Sequence, residues 1–494
     1  MGAAWDFMVR WWVVIDWSTA ALALLSVPSV LVQRRGRPMA AVSWILALVT
    51  LPIGGLLLWW LIGRRHLRRP SRRKRRAHDE LASQLAAVRS QLAEDEPPEA
   101  SPPAPSDHDT SDDRAILPVS HLPLEFLGSV FPPCGGNETV LIDAHEAFAI
   151  MDRDIRAATR HVHVLFYIWK DDETGRRVRD ALVDRARAGV EVRVLADAVG
   201  SPAFGTRFVR PLRDAGAQVQ RFLPPRLLSR TPRLNFRNHR KVLVVDGQVG
   251  FLGGFNIADE YRLRWHDMGV RIAGPAVDQL QEIFADDWFF SAGENLADPS
   301  YFGHYAGRAP PGDAIVGAVA SGPDTEGSPI EDALFIAINQ TQRRLYISTP
   351  YFIPPRATVA ALRAAVFRGV DVRVLVPARS DIPLVRWASR SYYPELLAAG
   401  VRIFEYLPVM LHAKAAVFDE ALSLIGSANI DQRSFRLNFE SSAFIRDASL
   451  NQSLAHVFED DLTRSEEVEA ARFDRRPWGS KLVDATAHLL SPLL

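Results

Sequence analysis

The sequence predicts an α/β protein of two similar lobes carried behind a two-helix transmembrane hairpin. Three observations predict it: two long apolar runs near the start, a strand–helix–strand pattern that occurs twice, and a segregation of charge. The 494 residues suffice for two folded units with appendages. The one cysteine, Cys134, in a loop reading PPCGG, excludes an internal disulfide or a thiolate metal cage. The 58 basic and 58 acidic residues balance overall, but residues 1–78 hold 13 Lys/Arg against two acids, leaving 45 against 56 elsewhere. A basic, apolar head argues for a membrane, and an acidic body argues against a general nucleic-acid binder.

Trp11 to Val32 is apolar except for Asp16, and Ala40 to Ile62 holds 23 residues without a charge. Each is close to the roughly 20 residues a helix needs to cross the hydrocarbon core. Trp11, Trp12, Trp17, Trp59 and Trp60 sit at the ends, where amphipathic rings favour the headgroup layer. A cleaved signal peptide is shorter and has no second span behind it. Pro28, Pro52 and Gly54-Gly55 would weaken soluble helices, but bilayer helices tolerate them. The connection QRRGRPM carries three Arg, whereas RRHLRRPSRRKRR after the second span carries nine Lys/Arg. The positive-inside rule therefore puts the body in the cytoplasm. That makes a multi-pass protein of the cell membrane.

Residues 1–66 are thus the hairpin, with spans at about 11–32 and 40–62. Residues 67–116 are a basic juxtamembrane segment, a short helix and a disordered linker rich in Pro, Ser and Asp. The first lobe is expected at 117–308 and the second at 309–494. In the first, HVHVLFYIW (161–169) reads as a buried strand, followed by a helix through RVRDALVDRARAG and the strand VEVRVLAD. RLYISTPYF (344–352), TVAALRAAVFRG and VDVRVLVP repeat that order. Such alternation implies βαβ units and largely parallel sheets, with a ligand site in the crevice between lobes.

The chemistry resides in a duplicated motif. His239-Arg240-Lys241 runs into Asp246, and His412-Ala413-Lys414 runs into Asp419; both read H-x-K-x-x-x-x-D. Chance predicts about 0.01 such matches in this composition. Two of the five lysines stand in these motifs, and an intact pair argues against a catalytically dead scaffold. Gly253-Gly254-Phe255-Asn256 starts seven residues after Asp246, and Gly426-Ser427-Ala428-Asn429 seven after Asp419. An acid follows each histidine by 28 residues: Asp267 and Glu440.

On a strand, His and Lys at i and i+2 share a face. Two such strands would gather two imidazoles, two ammonium groups and two Asn amides in one phosphate-sized volume. The cations and amides would hold nonbridging oxygens. One histidine would attack phosphorus while the other protonates the leaving alcohol, and Asp267 and Glu440 would fix the remote ring nitrogens. Asp246 and Asp419 complete the candidate catalytic set as motif positions, yet Asp246 precedes Gly247 at a turn, which favours strand termination and local backbone hydrogen bonding for them. The chemistry calls for no metal or cofactor, and no ligand-spaced cluster occurs elsewhere in the chain.

These residues resemble the phospholipase D superfamily and, more narrowly, bacterial cardiolipin synthases of that type. LNFRNHRKVLVVDG, GGFNIADEY, STPYFIPP, RSYYPELLAAGV, MLHAKAAVFD, GSANIDQRSFRLNFE and the terminal LLSPLL carry the resemblance. It implies two lobes, each a mixed sheet flanked by helices. It implies catalytic His239 and His412, with Lys241, Asn256, Lys414 and Asn429 on phosphate and Glu440 orienting its histidine. Only RLR separates Tyr261 from Trp265 where the family has a longer insert, which loosens the match of Asp267. The implied reaction converts two phosphatidylglycerols to cardiolipin and glycerol through phosphatidyl-histidine. Its expected partners are phospholipid and bilayer, not nucleic acid. A membrane-anchored phospholipase D-type hydrolase of phospholipid or, further off, a phosphodiesterase or nuclease is the alternative.

Overall fold

The computed structural model describes residues 2–34, 38–60, 83–84, 132–205, 207–224, 236–303, 305, 308–325 and 327–491, with 2–17, 38 and 39 described by backbone alone. The segment expected at 67–116 lies outside the described residues except for Ser83 and Gln84, as do 117–131 of the expected first lobe. Met1–Arg73 belongs to one compact unit, and Lys74–Pro225 with Asn235–Leu494 forms another.

In the amino-terminal unit the first apolar run lies within one helix, Gly2–Gln33. The second is divided into Pro38–Thr50 and Pro52–Leu58. Leu51 leaves the helical region (φ −131°, ψ 70°) because the ring of the following proline crowds it. Ala23, Val30, Ala41, Leu48 and Trp59 pack inside, while Leu25, Leu31, Val32, Leu46 and Leu57 point outward. A Cβ on Gly55 would lie 2.3 Å from the Ala47 carbonyl, so only glycine allows this helix contact. Among the described residues, no helix is long and apolar enough to cross a membrane.

In the body, strand and helix alternate as the hydrophobic runs require. His161–Phe166 is buried along its length, as is all but the first residue of Glu191–Asp197. The amphipathic helix Glu173–Arg187, capped by Asp172, crosses between them and buries Val178, Ala181 and Leu182. Arg344–Ser348, Arg356–Phe367 and Asp371–Pro377 repeat the unit. Among the described residues of each lobe's main sheet, only the three strands of this crossover series pair in parallel, and the motif-bearing strands run antiparallel to them; Phe352–Ile353 and Ile430–Asp431 form a separate small parallel pair. The sheets are therefore mixed and not largely parallel. The reason lies at the motif aspartates: Asp246 and Asp419 take positive φ (54° and 48°) in three-residue connections that fold the chain back as hairpins.

Strand order is the same in both lobes. The first runs Cys134–Asp143, Met268–Ala273, Val249–Gly253, Val242–Val245, His161–Phe166, Glu191–Asp197, Gln218–Phe222. The second runs Ala314–Ser321, Asn438–Arg446, Leu422–Gly426, Ala415–Phe418, Arg344–Ser348, Asp371–Pro377, Arg402–Tyr406, with Ser465–Glu467 added at the edge. Cys134–Asp143 and Ala314–Ser321 pair antiparallel and join the two sheets into one. Cys134 accordingly opens a strand and does not sit in a free loop. Each lobe has its own core, one around Phe148, Met151, Val164 and Phe251, the other around Ile338, Leu345, Leu362 and Phe418.

Candidate active site

The motif strands begin at Val242 and Ala415, so each His–Lys pair occupies the irregular backbone just before a strand. That backbone is not left unpaired. The His239 amide donates to the Phe439 carbonyl (2.9 Å), and Arg237-Asn238 pairs in parallel with Asn438-Phe439. The His412 amide donates to the His266 carbonyl (2.7 Å), and His266 bridges Leu411. In both cases the histidine segment of one lobe is stitched to the acid-bearing segment of the other.

The carboxylates follow that crossing. His239 Nδ1 lies 3.3 Å from Glu440 Oε1, and His412 Nδ1 lies 2.5 Å from Asp267 Oδ2. The short Tyr261–Trp265 loop thus keeps Asp267 in register with a histidine. Lys241 Nζ donates to the His239 carbonyl (2.5 Å). Lys414 Nζ contacts the His412 carbonyl, lies 2.6 Å from its Nδ1, and sits 3.9 Å from Asp267. Both acids and both lysines are buried.

Electrostatics tie the two motifs into one volume. Burial lowers Lys241 to about 8, with Glu440 and Asp267 opposing. Burial lowers Lys414 to about 7, against Asp267, with Lys241 adding repulsion. Burial and Lys414 bring His412 down to about 4, although Asp267 opposes them. Burial also lowers His239, with Glu440 pulling it back up. For Glu440, burial opposes ionisation, but His239, Lys241 and the Ser427 hydroxyl together hold its pKa below the ordinary value.

Asn256 and Asn429 occupy matching buried positions. Asn256 Oδ1 accepts the Ile168 amide (3.0 Å), whereas Asn429 Oδ1 has no partner among the described residues. Asp246 and Asp419 are placed elsewhere. Asp246 accepts the amides of Thr159, Arg160 and His161, and Asp419 those of Gln342, Arg343 and Arg344. A four-residue strand, about 13 Å, separates each from its lysine. They are turn anchors that fix the first parallel strand of each lobe, a correction to their inclusion with the catalytic groups.

Several site residues escaped the sequence reading. Tyr167 packs on the His239 ring (4.0 Å between centroids) and under the Lys241 ammonium (5.7 Å). Tyr261 and Trp265 pack on the His412 ring at 5.2 and 5.1 Å. Asn438 Nδ2 reaches His239 Nδ1 (3.2 Å) and Glu440 Oε1 (3.1 Å), and Ser427 Oγ donates to Glu440 Oε2 (2.5 Å). Arg240, the variable residue of the first motif, is a buried clamp: it pairs with Asp287 (2.8 Å) and donates to the carbonyls of Glu440 and Ser321. Asn438 carried a signal, since it stands two residues before Glu440 and so shares its face of the strand. Among the described residues, no His/Cys/Asp/Glu group could hold a metal ion.

Two repeated lobes that present paired His–Lys motifs, each histidine held by the other lobe's carboxylate, define a phospholipase D-type phosphoryl-transfer site. Comparison with known proteins narrows the class. A family profile described as cardiolipin synthase, PLD-like domain, matches residues 151–288 and 334–462. A cardiolipin synthase of Geobacillus sp. (strain WCH70) is 35% identical over 468 residues, covering 93% of this chain and 89% of the relative. The major cardiolipin synthase of Bacillus subtilis (strain 168) is 34% identical, covering 95% and 97%. The crystal structure of phosphatidylserine synthase from Haemophilus influenzae superposes with a TM-score of 0.56 at 16% identity, over 75% of this chain and 99% of that one, a likeness of fold. The chain belongs to the cardiolipin synthase family of phospholipase D-type phosphatidyltransferases.

Proposed function

We propose that this chain condenses two phosphatidylglycerol molecules into cardiolipin and glycerol by two successive phosphatidyl transfers at the crossed His–Lys site. The observation that carries the proposal is the pairing of His239 with Glu440 and of His412 with Asp267 beside two lysines lowered by burial. A phosphodiester entering between Lys241 and Lys414 supplies the counter-charge that burial denies them, and their protonation follows its binding. With Nδ1 turned to Glu440 and Asn438, His239 offers Nε2 to phosphorus. The N–P bond forms as the P–O bond to glycerol breaks, and His412, protonated once the bound phosphodiester anion offsets the repulsion from Lys414, gives that oxygen its proton. His412 then takes the proton from the terminal hydroxyl of the second phosphatidylglycerol. That oxygen displaces His239 from phosphorus.

The reverse assignment has one observation in its favour: with its pKa lowered to about 4, His412 is neutral at pH 7 and nucleophile-ready. Quenching a reaction with short-chain phosphatidylglycerol in acid-free buffer and locating the phosphohistidine by mass spectrometry separates the two; modification at residue 239 supports the first assignment and at 412 the second. For the overall reaction, purified protein in lipid–detergent micelles with labelled phosphatidylglycerol and a chelator is expected to give cardiolipin and glycerol. The products should vanish in His239→Ala and in His412→Ala. Phosphatidic acid in place of cardiolipin would make the protein a hydrolase.

The apolar amino-terminal helices are assigned to the cell membrane as a two-pass hairpin with the body on the cytoplasmic side. Their outward Leu and Val side chains and the nine cations that follow support this reading.

A further inference from the structure

The carboxy-terminal helix Trp478–His488 is built inside out. Its buried face carries Asp484, paired with Arg476 (2.7 Å), and Ala487. The opposite face presents Trp478 (75% exposed), Leu482 (47%) and Leu489 (77%), spaced 4 and 7 residues apart as one helical stripe. A soluble helix places such residues the other way round. Three exposed large apolar side chains in one row on one element mark an interaction surface.

This helix packs on Pro383–Arg390 through Val385, Ala388 and Ala487, and His488 Nδ1 meets Ser391 Oγ (2.9 Å). Between the two helices lies a groove of about 290 Å³ lined by Arg386, Arg390, Arg476, Trp387, Ser480 and Val483, with Asp484 at its wall. Three guanidinium groups meet two carboxylates there, Glu405 and Asp484. Arg386 reaches Glu405 only at 3.8 Å, and its buried Nε has no partner among the described residues. The groove therefore holds an excess of positive charge next to apolar surface. Ile382 (42% exposed) and Trp387 (39%) continue that surface. The adjacent Asp381 bonds the Tyr351 hydroxyl (2.8 Å) and acts on Tyr261 and Lys414, so this face runs directly into the rim of the His412 half of the site.

We infer that the Trp478–His488 and Pro383–Arg390 helices form a bilayer-docking face whose arginine groove takes the phosphate of an anionic phospholipid. The occupant follows from the chemistry: indole rings and Leu beside Arg suit the headgroup–acyl boundary. The face borders a site whose proposed substrates are anionic phospholipids, and the inference rests on that reading. A docked face would let a lipid reach the histidines without leaving its leaflet.

The test places spin labels on Leu482→Cys and Leu489→Cys in the full chain, with Ser453→Cys on the exposed face of another helix as control. Cys134 competes poorly, because burial raises its thiol to about 11. Power-saturation electron paramagnetic resonance is read in phosphatidylcholine vesicles with and without phosphatidylglycerol. In the anionic vesicles, oxygen accessibility at 482 and 489 should exceed that of a nickel chelate, with the reverse at 453. Arg386→Gln should weaken the shift at 482 and 489. Labels equally open to the nickel chelate at all three positions would overturn the inference. Labels shielded from both reagents would overturn it too, since a protein partner would then cover the face. Lipid turnover measured on the same vesicles separates the readings: buried labels without turnover would sink the transferase proposal and leave the docking face standing.

Discussion

His239 sits in a polar network and His412 in an aromatic box. Around His239, Glu440 is shared with Asn438 and Ser427, so the carboxylate has three partners and lies 3.3 Å from the ring. Around His412, the equivalents of Asn438 and Ser427 are Trp265 and Gly254. Asp267 there comes within 2.5 Å of the imidazole, and Tyr261 and Trp265 shield the ring. The same motif thus yields two differently solvated histidines, with side chains 18% and 9% exposed. A duplicated scaffold reproduces the positions of the groups, and the residues between them set their acidity.

Removing either histidine is the largest perturbation: His239→Ala and His412→Ala should each lower cardiolipin formation by at least about 10⁴-fold, as for groups acting as one unit. The double variant should be scarcely worse than either alone, and a multiplicative loss in the lipid-product assay would break the single-site reading. Next comes Gly254→Ala. The new Cβ would lie 2.3 Å from Asp267 Oδ1 and push the carboxylate off His412. Displacement on that scale should reduce kcat about 10²-fold with little change in KM. Unaltered kcat would mean that Asp267 does not position His412.

Much of this was legible in the sequence because the duplication is. The H-x-K spacing, the two Asn and the 28-residue offset to an acid need only a count, and buried strands with amphipathic crossovers announce the sheets. The crossing was not legible. An equal offset within each lobe suggests that an acid serves its own lobe's histidine, whereas the parallel pairing of 237–238 with 438–439 and the 266–411 bridge exchange them. Nor was the Cys134–Asp143 to Ala314–Ser321 seam, whose two strands carry no motif. The hairpin geometry at Asp246 and Asp419 also hid from a periodicity reading that sees strands but not their direction.

Smaller effects sharpen the contrast. Ser427→Ala removes a donor from Glu440, raising that carboxyl and moving the acidic limb of the pH–rate profile of kcat/KM upward; an unmoved limb would assign it to another group. The lysines predict a pH dependence of stability with a definite sign. Their folded pKa values of about 7 and 8 lie below the ordinary 10.5, so between those limits the unfolded chain binds more protons and the empty protein grows more stable as pH rises. Tm should climb from pH 7 to 9.5, less so in Lys414→Met. A flat difference between the two proteins would contradict the burial argument.

The crossed pairing is tested most directly by the titration of individual histidines, read as the pH dependence of diethylpyrocarbonate labelling resolved by mass spectrometry, in wild type and in Glu440→Gln. Glu440 raises His239, so its neutralisation should lower the midpoint of His239 and leave His412 where it was. A shift at His412 with none at His239 would mean that each acid serves its own lobe, and the exchange of carboxylates between lobes would be wrong.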